Sequence, residues 1–290
     1  MNQFDRSIIP ASLTDMRGIT YLALGRRIPA VLAVSLRTLR RHWQGPVTLF
    51  VDDAAAPFVA RIAADCDPPI CVVNYNPPPY RAYTVKPHLP QLSHYDYTIQ
   101  VDADTLWMKS PQQLFDLLKP GLTIVTQFSG WLTTGNRMRG RIEEWWTKDR
   151  QKVEACLAKP WPALNTGVVA FHKGAKVACE VWLEETMKNP KQFISDEIAA
   201  NLLVPFYGPN ELLVVSDRFN RSPKFPGGSD TPMLYHQHGQ KHTKDPKMRA
   251  VWLPEFTAMY RENWGSVRDW LPLCADKRLH EWLRENPAKE

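Results

Sequence analysis

At 290 residues the chain is long enough to bury a substantial core, as one large domain or two small ones. Its 44% apolar and 23% charged residues suit a soluble globular protein, and five cysteines, odd in number and without a C-x-x-C pair, suggest neither a disulfide framework nor a zinc knuckle and fit a reducing compartment. The formal charge of +6 favours anionic partners, whether a nucleotide, a nucleic acid or an acidic membrane surface, and does not choose among them.

Residues 1–18 form a polar lead-in with no basic start, apolar stretch or cleavage site, so no secretory signal is expected there. Ile19 to Leu24 (ITYLAL) reads as a short buried strand ending at Gly25. Pro29 opens a helix to about His42, with Leu32, Leu36 and Leu39 on one face. Val47 to Val51 is the next strand, Pro57 to Ala64 a helix, and Ile70 to Val73 a third strand. This alternation predicts a parallel sheet with crossover helices. After the rigid Pro77-Pro78-Pro79, Lys86 to Leu92 predicts a short helix. Tyr97 to Val101 (YTIQV) is a strand that delivers Asp102-Ala103-Asp104 at its carboxyl end, where ligands of open α/β sheets bind.

Pro111 to Leu118 returns as a helix and Leu122 to Val125 as a strand. The longest uncharged stretch, Pro120 to Asn136, is too short and too polar to span a bilayer, and the expected location is cytoplasmic. Residues 129–162 are irregular and rich in Trp and Arg. Val168 to Phe171 is a strand directly after Asn165-Thr166-Gly167, followed by helices at Lys176 to Met187 and Asp196 to Leu203. Met233 to Tyr235 leads into His236, and short helices bearing Trp264, Trp270 and Trp282 close the chain. The expected organisation is a lead-in at 1–18, one α/β domain at 19–245 and a helical extension at 246–290 packed on it.

Two carboxylates at i and i+2 on a strand end can share a hard divalent cation and leave positions open for phosphate oxygens. A cation held there would neutralise charge building on a leaving diphosphate. The same D-x-D pattern also describes two surface aspartates beside a turn. His236 and His238 face the same way in an extended stretch, and either could complete a metal site begun elsewhere. Gly239 allows backbone to approach a phosphate and Lys241 could contact it as a point charge; a solvated histidine-rich loop including His242 is the plainer alternative. Singly, Lys86 reads as an exposed lysine, Asn165-Thr166-Gly167 as a turn, and Asp196 as a helix cap.

Taken in order, these pieces resemble the glycogenin-like, retaining nucleotide-diphospho-sugar glycosyltransferases. The resemblance rests on T-I-Q-V-D-A-D-T-L at Thr98 to Leu106, L-F-D at Leu114 to Asp116, and N-T-G-V-V at Asn165 to Val169. It continues through Asp196-Glu197 with Ala200-Asn201-Leu202, and through His236, Gly239 and Lys241 as an H-x-x-G motif with a trailing lysine. It implies a GT-A fold with a mostly parallel sheet flanked by helices, and Mn²⁺ or Mg²⁺ bound by Asp102, Asp104 and His236. By the same resemblance Lys86 and Lys241, with His238 and Gly239 beside them, would hold the diphosphate. Asn165, Thr166, Gly167 and Asp196 would face the donor sugar, with Asp196 as the catalytic or sugar-orienting group. Ala23-Leu24-Gly25, Val101 and Ala103 would border the base and ribose. The donor implied is a UDP-sugar, transferred with retention. The acceptor is left open, and the basic charge admits an anionic polymer such as a nucleic acid or a glycan. The chain departs from the family pattern in reading Ala23-Leu24-Gly25-Arg26-Arg27 at the first-strand turn, in Glu197 where Gln is common, and in Lys241 lying one place nearer to Gly239.

Two rivals deserve weighing. A strand ending in D-x-D-T also resembles the nucleophile loop of haloacid-dehalogenase-like phosphatases, yet here it follows three predicted strands and no later Asp-Asp pair exists. A non-enzymatic nucleic-acid-binding protein fits the charge, but the basic residues are scattered and no such motif is present.

Overall fold

The computed structural model describes residues 15–77, 82–224, 230–237, 245–274 and 277–285. Seven strands form the central sheet: β1 (Arg17–Ala23), β2 (Val47–Val51), β3 (Cys71–Asn74), β4 (Tyr97–Asp102), β6 (Thr123–Trp131), β7 (Pro162–His172) and β8 (Leu212–Val215), in the order β3-β2-β1-β4-β7-β6-β8. Strand β7 runs antiparallel to both its neighbours and every other pairing is parallel. The expected α/β fold with a mostly parallel sheet is therefore present. A separate two-stranded ribbon pairs β5 (Thr105–Trp107) with β9 (Leu234–His236).

Both faces of the sheet are covered, which explains why its strands read as near-continuous apolar runs. On one face Ile19, Tyr21, Leu49, Val51, Ile99 and Val101 meet α1 (Ile28–Arg40) and α2 (Ala56–Ala64). The C-terminal helices Pro246–Arg261, Val267–Cys274 and Lys277–Glu285 share that core through Trp252, Phe256, Trp270 and Trp282. On the other face Val125, Val169 and Phe171 pack with Ala178, Trp182, Ala199 and Leu203. A third, smaller cluster joins Leu132, Met138, Ile142 and Trp145 to Ile198 and Leu202 of the Ser195–Leu203 helix.

Several elements differ from the sequence reading. Asn165-Thr166-Gly167 is not a turn but lies inside β7, which begins at Pro162 because Ala163 and Leu164 are already buried against the lengthened β6. The polar side chains of that triplet, satisfied by buried partners, hide the strand from a hydrophobicity pattern. Helices also occupy Arg137–Glu143 and Arg150–Leu157, where an irregular segment was expected; both are capped by side chains, Asn136 and Asp149. The run Ala82–Val85, Lys86–His88, Leu89–Leu92 passes through Pro87 and Pro90 because each proline falls in the first turn of its piece, where no amide hydrogen is needed.

Candidate metal and sugar-nucleotide site

The carboxyl edge of β4 and β1 is the point where the sheet changes direction, since β7 on its far side is antiparallel. Asp102 ends β4, and the turn Asp102–Thr105 is closed by the Thr105 hydroxyl donating to the Asp102 carbonyl at 2.9 Å. Thr105 opens β5, whose partner in the ribbon register is His236 of β9. The backbone N–H of Gln237 donates to the Asp104 carbonyl at 2.8 Å, fixing the second aspartate to the same ribbon. Asp102, Asp104 and His236 each offer one ligand atom, and the three atoms lie within 4.8 Å of one another.

The tautomer of His236 follows from its surroundings. Its Nδ1 lies 3.1 Å from the Oδ1 of both Asn165 and Asn220, and these oxygens can only accept, so Nδ1 carries the hydrogen. The Asn165 oxygen is itself identified by the Gly167 backbone N–H that donates to it at 2.8 Å. The Nε2 lone pair is thereby turned to Asp104 at 3.3 Å and Asp102 at 3.5 Å. A neutral nitrogen facing two carboxylate oxygens needs a positive charge between them, a proton or a cation. Oxygen and imidazole donors at this spacing fit a divalent ion of the Mn²⁺ or Mg²⁺ type.

Lys86 is buried beneath this cluster, 3.0 Å from Asp102 Oδ1 and 3.1 Å from Asp196 Oδ2. It also approaches the Thr166 hydroxyl at 3.4 Å. The Thr166 hydroxyl donates to Asp196 Oδ2 at 2.7 Å. Asp196 is not the helix cap expected from its sequence position. Ile194 occupies the N-cap with φ of 54°, and Asp196 lies inside the first turn. A left-handed β-branched residue is strained, and Ile194 is held there by packing against the Leu132–Ile142 cluster. The helix start places Asp196 and Glu197 where the helix dipole favours negative charge. Asp196 Oδ1 is buried with no hydrogen-bond partner within the protein.

Charge in this cluster is strongly redistributed. Burial alone would lower the Lys86 ammonium, but Asp102, Asp196 and Glu197 outweigh it and hold the group above its ordinary range. Burial raises Asp102, and Lys86 and His236 only partly counter it. Burial would lower His236, yet Asp104 and Asp102 together raise it in the metal-free chain. Burial and the adjacent Asp196 push Glu197 up to about 8, and its Oε1 accepts a hydrogen bond from Asn165 Nδ2 at 2.7 Å.

The other residues singled out by sequence fall into three groups. Asn165 and Thr166 are at this site, almost fully buried, with the polar atoms of Asn165 engaged by Gly167, Asn220, His236 and Glu197. Ala23, Val101 and Ala103 are buried members of the main core, so they present backbone rather than side chain at the edge. Gly25 follows β1 with φ of 84°, half-buried like Leu24, and its N–H donates to Asp52 Oδ2 at 2.9 Å. His238, Gly239 and Lys241 lie outside the described residues. Sequence reasoning missed Asn220, whose only signal is an asparagine in an otherwise unpatterned stretch. It missed Thr105 as well, although that residue stands next to the D-x-D pair.

No protein-family model and no curated protein matches the sequence. Solved structures do. The WbbM bifunctional glycosyltransferase matches with a TM-score of 0.61 at 13% identity, over 85% of this chain and 50% of that one, so this chain spans about half its length. The galactosyltransferase LgtC, solved with donor and acceptor sugar analogues, matches with a TM-score of 0.59 at 14% identity, over 83% of this chain and 94% of that one. Mouse xyloside xylosyltransferase 1 matches at 0.55 with 12% identity, over 79% of this chain and all of that one, 100%. The architecture is thus that of the GT-A glycosyltransferases, and these structural neighbours are glycosyltransferases. No helix among the described residues is long and apolar enough to cross a membrane.

Proposed function

We propose that the protein is a metal-dependent glycosyltransferase, working in the cytoplasm, that moves a hexosyl or pentosyl group from a nucleotide-diphospho-sugar, a UDP-sugar by the family resemblance, with retention of configuration. The observation that carries this reading is the orientation of His236. Its Nδ1–H is fixed on two amide oxygens while Nε2 faces Asp102 and Asp104 at the carboxyl edge of a GT-A sheet. Bound by these three residues, Mn²⁺ or Mg²⁺ would supply Lewis-acid stabilisation of charge developing on the leaving diphosphate.

The chain's own residues divide the remaining work. Lys86 holds Asp102 and Asp196 in place, since its ammonium lies between them rather than facing open solvent. Asp196 is assigned to the donor sugar by the family resemblance; its Oδ1 is buried without a protein donor, so a sugar hydroxyl would reach it only by opening that cover. Asn165 positions His236, and Gly167 makes room for it. Gly239 and Lys241, with His238, are assigned to the diphosphate on sequence grounds, and the Ala23-Leu24-Gly25 turn to the nucleoside. The sugar C1–O bond breaks, the nucleoside diphosphate leaves with the electron pair, and an acceptor hydroxyl forms the new bond to C1 on the face the diphosphate leaves, giving its proton to the departing diphosphate oxygen.

Calorimetric titration of a nucleoside-diphosphate panel, with and without Mn²⁺, into wild type and Asp104→Asn tests the donor site. Binding of one nucleotide that needs the metal and disappears in the variant is the expected result. Absence of nucleotide binding under every metal condition overturns the proposal.

A further inference from the structure

The donor site accounts for one end of the reaction and leaves two aromatic side chains unexplained. Trp131 is 55% exposed and Phe193 is 56% exposed. An isolated exposed ring is ordinary, but both of these adjoin site residues in the fold. Past the rung where Thr126 pairs with Asn165, strand β6 bulges, with Gly130 at φ of 90°, and Trp131 rejoins the ladder opposite Pro162. Pro162 stands three residues beyond Asn165, so Trp131 lies roughly 10 Å further along the strand, above the edge that carries the metal ligands. Phe193 immediately precedes the left-handed Ile194 and stands three residues before Asp196.

The same small core directs both rings outward. Leu132 is fully buried and Ile194 packs beside it, in one cluster with Met138, Ile142 and Ile198. Trp131 and Phe193 border one helix: the Trp131 carbonyl accepts at 2.9 Å from the side chain of Asn136, the N-cap of Arg137–Glu143, and Phe193 lies under Arg141 of that helix. The Arg141 guanidinium stacks over the Phe193 ring, 5.1 Å from its centroid. Neighbouring Arg139 and Arg150 are engaged by Glu143 and Glu154. Arg137, Arg141 and Lys191 have no ion pair among the described residues, and Arg137 and Lys191 are exposed. The surface thus combines flat apolar rings with three basic side chains that have no ion pair among the described residues.

We infer that Trp131 and Phe193, with Arg141, form the acceptor platform of this enzyme and that the acceptor is an acidic glycan. The inference rests on the glycosyltransferase reading of the adjoining site. Aromatic rings stack on the C–H face of a sugar while their surroundings supply hydrogen bonds, and a guanidinium pairs with a sugar carboxylate in a bidentate manner. A nucleic acid suits the surface less well. Glu143, Glu144, Asp149 and Glu154 interrupt the basic residues, so there is no continuous cationic track for a phosphate backbone.

The test uses the full chain with Mn²⁺ and the nucleoside diphosphate that it binds. Retention is measured on an array carrying maltoheptaose, hyaluronan octasaccharide, oligogalacturonate and single-stranded DNA. Wild type is expected to retain one or more acidic oligosaccharides. Trp131→Ala and Phe193→Ala should each weaken retention at least tenfold, and Arg141→Gln should erase the preference over maltoheptaose. Leu273→Ser, which alters an equally exposed apolar residue on a C-terminal helix, should retain them as wild type does. Nucleotide binding is followed in parallel by calorimetry, so failure of the donor-site reading appears as its absence from wild type. Retention of DNA alone, of neutral and acidic glycans alike, or of no glycan while nucleotide binds would overturn the inference. Loss of nucleotide binding in Trp131→Ala would also overturn it, by placing that ring in the donor site.

Discussion

Gly167 lies so close to His236 that a Cβ added to it would stand 2.2 Å from the imidazole Cε1 and 2.3 Å from Nδ1. No side chain other than hydrogen leaves the ring where Nε2 faces both aspartates. Gly167→Ala should therefore push His236 out of position and lower Mn²⁺ affinity by about 10–100-fold. The overpacking should cost about 1–3 kcal/mol of stability, so the fold persists. Manganese titration by electron paramagnetic resonance, beside a thermal melt, separates the two effects. Wild-type affinity in Gly167→Ala would show that His236 is not a ligand.

The pH dependence of metal binding follows from the same ring. An unfolded imidazole titrates near 6.5, and His236 in the folded, metal-free chain titrates higher because of Asp104 and Asp102. Its contribution to stability is complete below about pH 6.5 and is lost as pH rises through the raised value. Metal binding requires Nε2 to shed that proton, so the sign reverses with Mn²⁺ present. The rise in melting temperature on adding Mn²⁺ should be small near pH 6 and larger near pH 8. His236→Gln should reduce both the rise and its pH dependence. An increment identical at the two pH values in wild type would contradict this assignment.

Lys86 predicts a stability effect larger than a surface lysine could give. Replacing it by Met leaves Asp102 and the fully buried Asp196 facing each other without a cation, a loss of about 3–5 kcal/mol. Acidification, which protonates the carboxylates, should recover part of the deficit. Urea denaturation of Lys86→Met in chelator at neutral and mildly acidic pH measures both. A loss below 1 kcal/mol, the scale of an exposed pair, would show that water enters the cluster.

Much of this was legible in the sequence because apolar strands and glycine-proline breaks mark the β1–β4 half, and because D-A-D-T-L ends a strand whose flanks are predictable. The β6–β8 half was less legible for a physical reason. Asn165 and Thr166 of β7 are polar residues in a buried strand, satisfied by partners distant in sequence such as Asp196, Asn220 and His236, and Gly167 adds no apolar side chain. Periodicity registers apolar burial and is blind to polar groups buried together. The ribbon of β5 and β9 escaped notice because three residues per strand carry no periodic signal. Lys86 read as an exposed lysine for want of any local sign that two carboxylates would surround it.

Glu197 gives a prediction tied to one substitution. With its folded value pushed up to about 8 by burial and Asp196, it binds a proton that the unfolded chain has already released. Its contribution to stability is complete below the unfolded value, about 4.3, and is lost as pH rises through about 8. Glu197→Gln keeps a group able to accept from Asn165 Nδ2 and cannot ionise. In chelator, the melting temperature of the variant should fall less steeply over that interval than that of wild type. Parallel curves would place the Glu197 carboxyl in water.

A buried chain of hydroxyls supports the Asp102–Thr105 turn from behind, and its direction is fixed at both ends. Trp107 Nε1–H, which can only donate, bonds the Tyr21 oxygen at 2.7 Å, and the Asp102 carbonyl, which can only accept, takes the Thr105 hydroxyl at 2.9 Å. Between them Tyr21 must donate to Ser35 at 3.1 Å and Ser35 to Thr105 at 2.9 Å. Every link is therefore oriented from Trp107 of β5 through Tyr21 of β1 and Ser35 of α1 toward the aspartate turn. Tyr21→Phe strands the Trp107 N–H and should cost about 1–3 kcal/mol, and Ser35→Ala breaks the next link. Because both act on one chain, the double variant should lose less than the sum of the singles, by about 0.5 kcal/mol or more. The single variants should also weaken Mn²⁺ binding, since the Asp102–Thr105 turn loses its support. Additive stability losses with Mn²⁺ affinity untouched would mean that the hydroxyls merely fill the core and that the turn holds its shape without them.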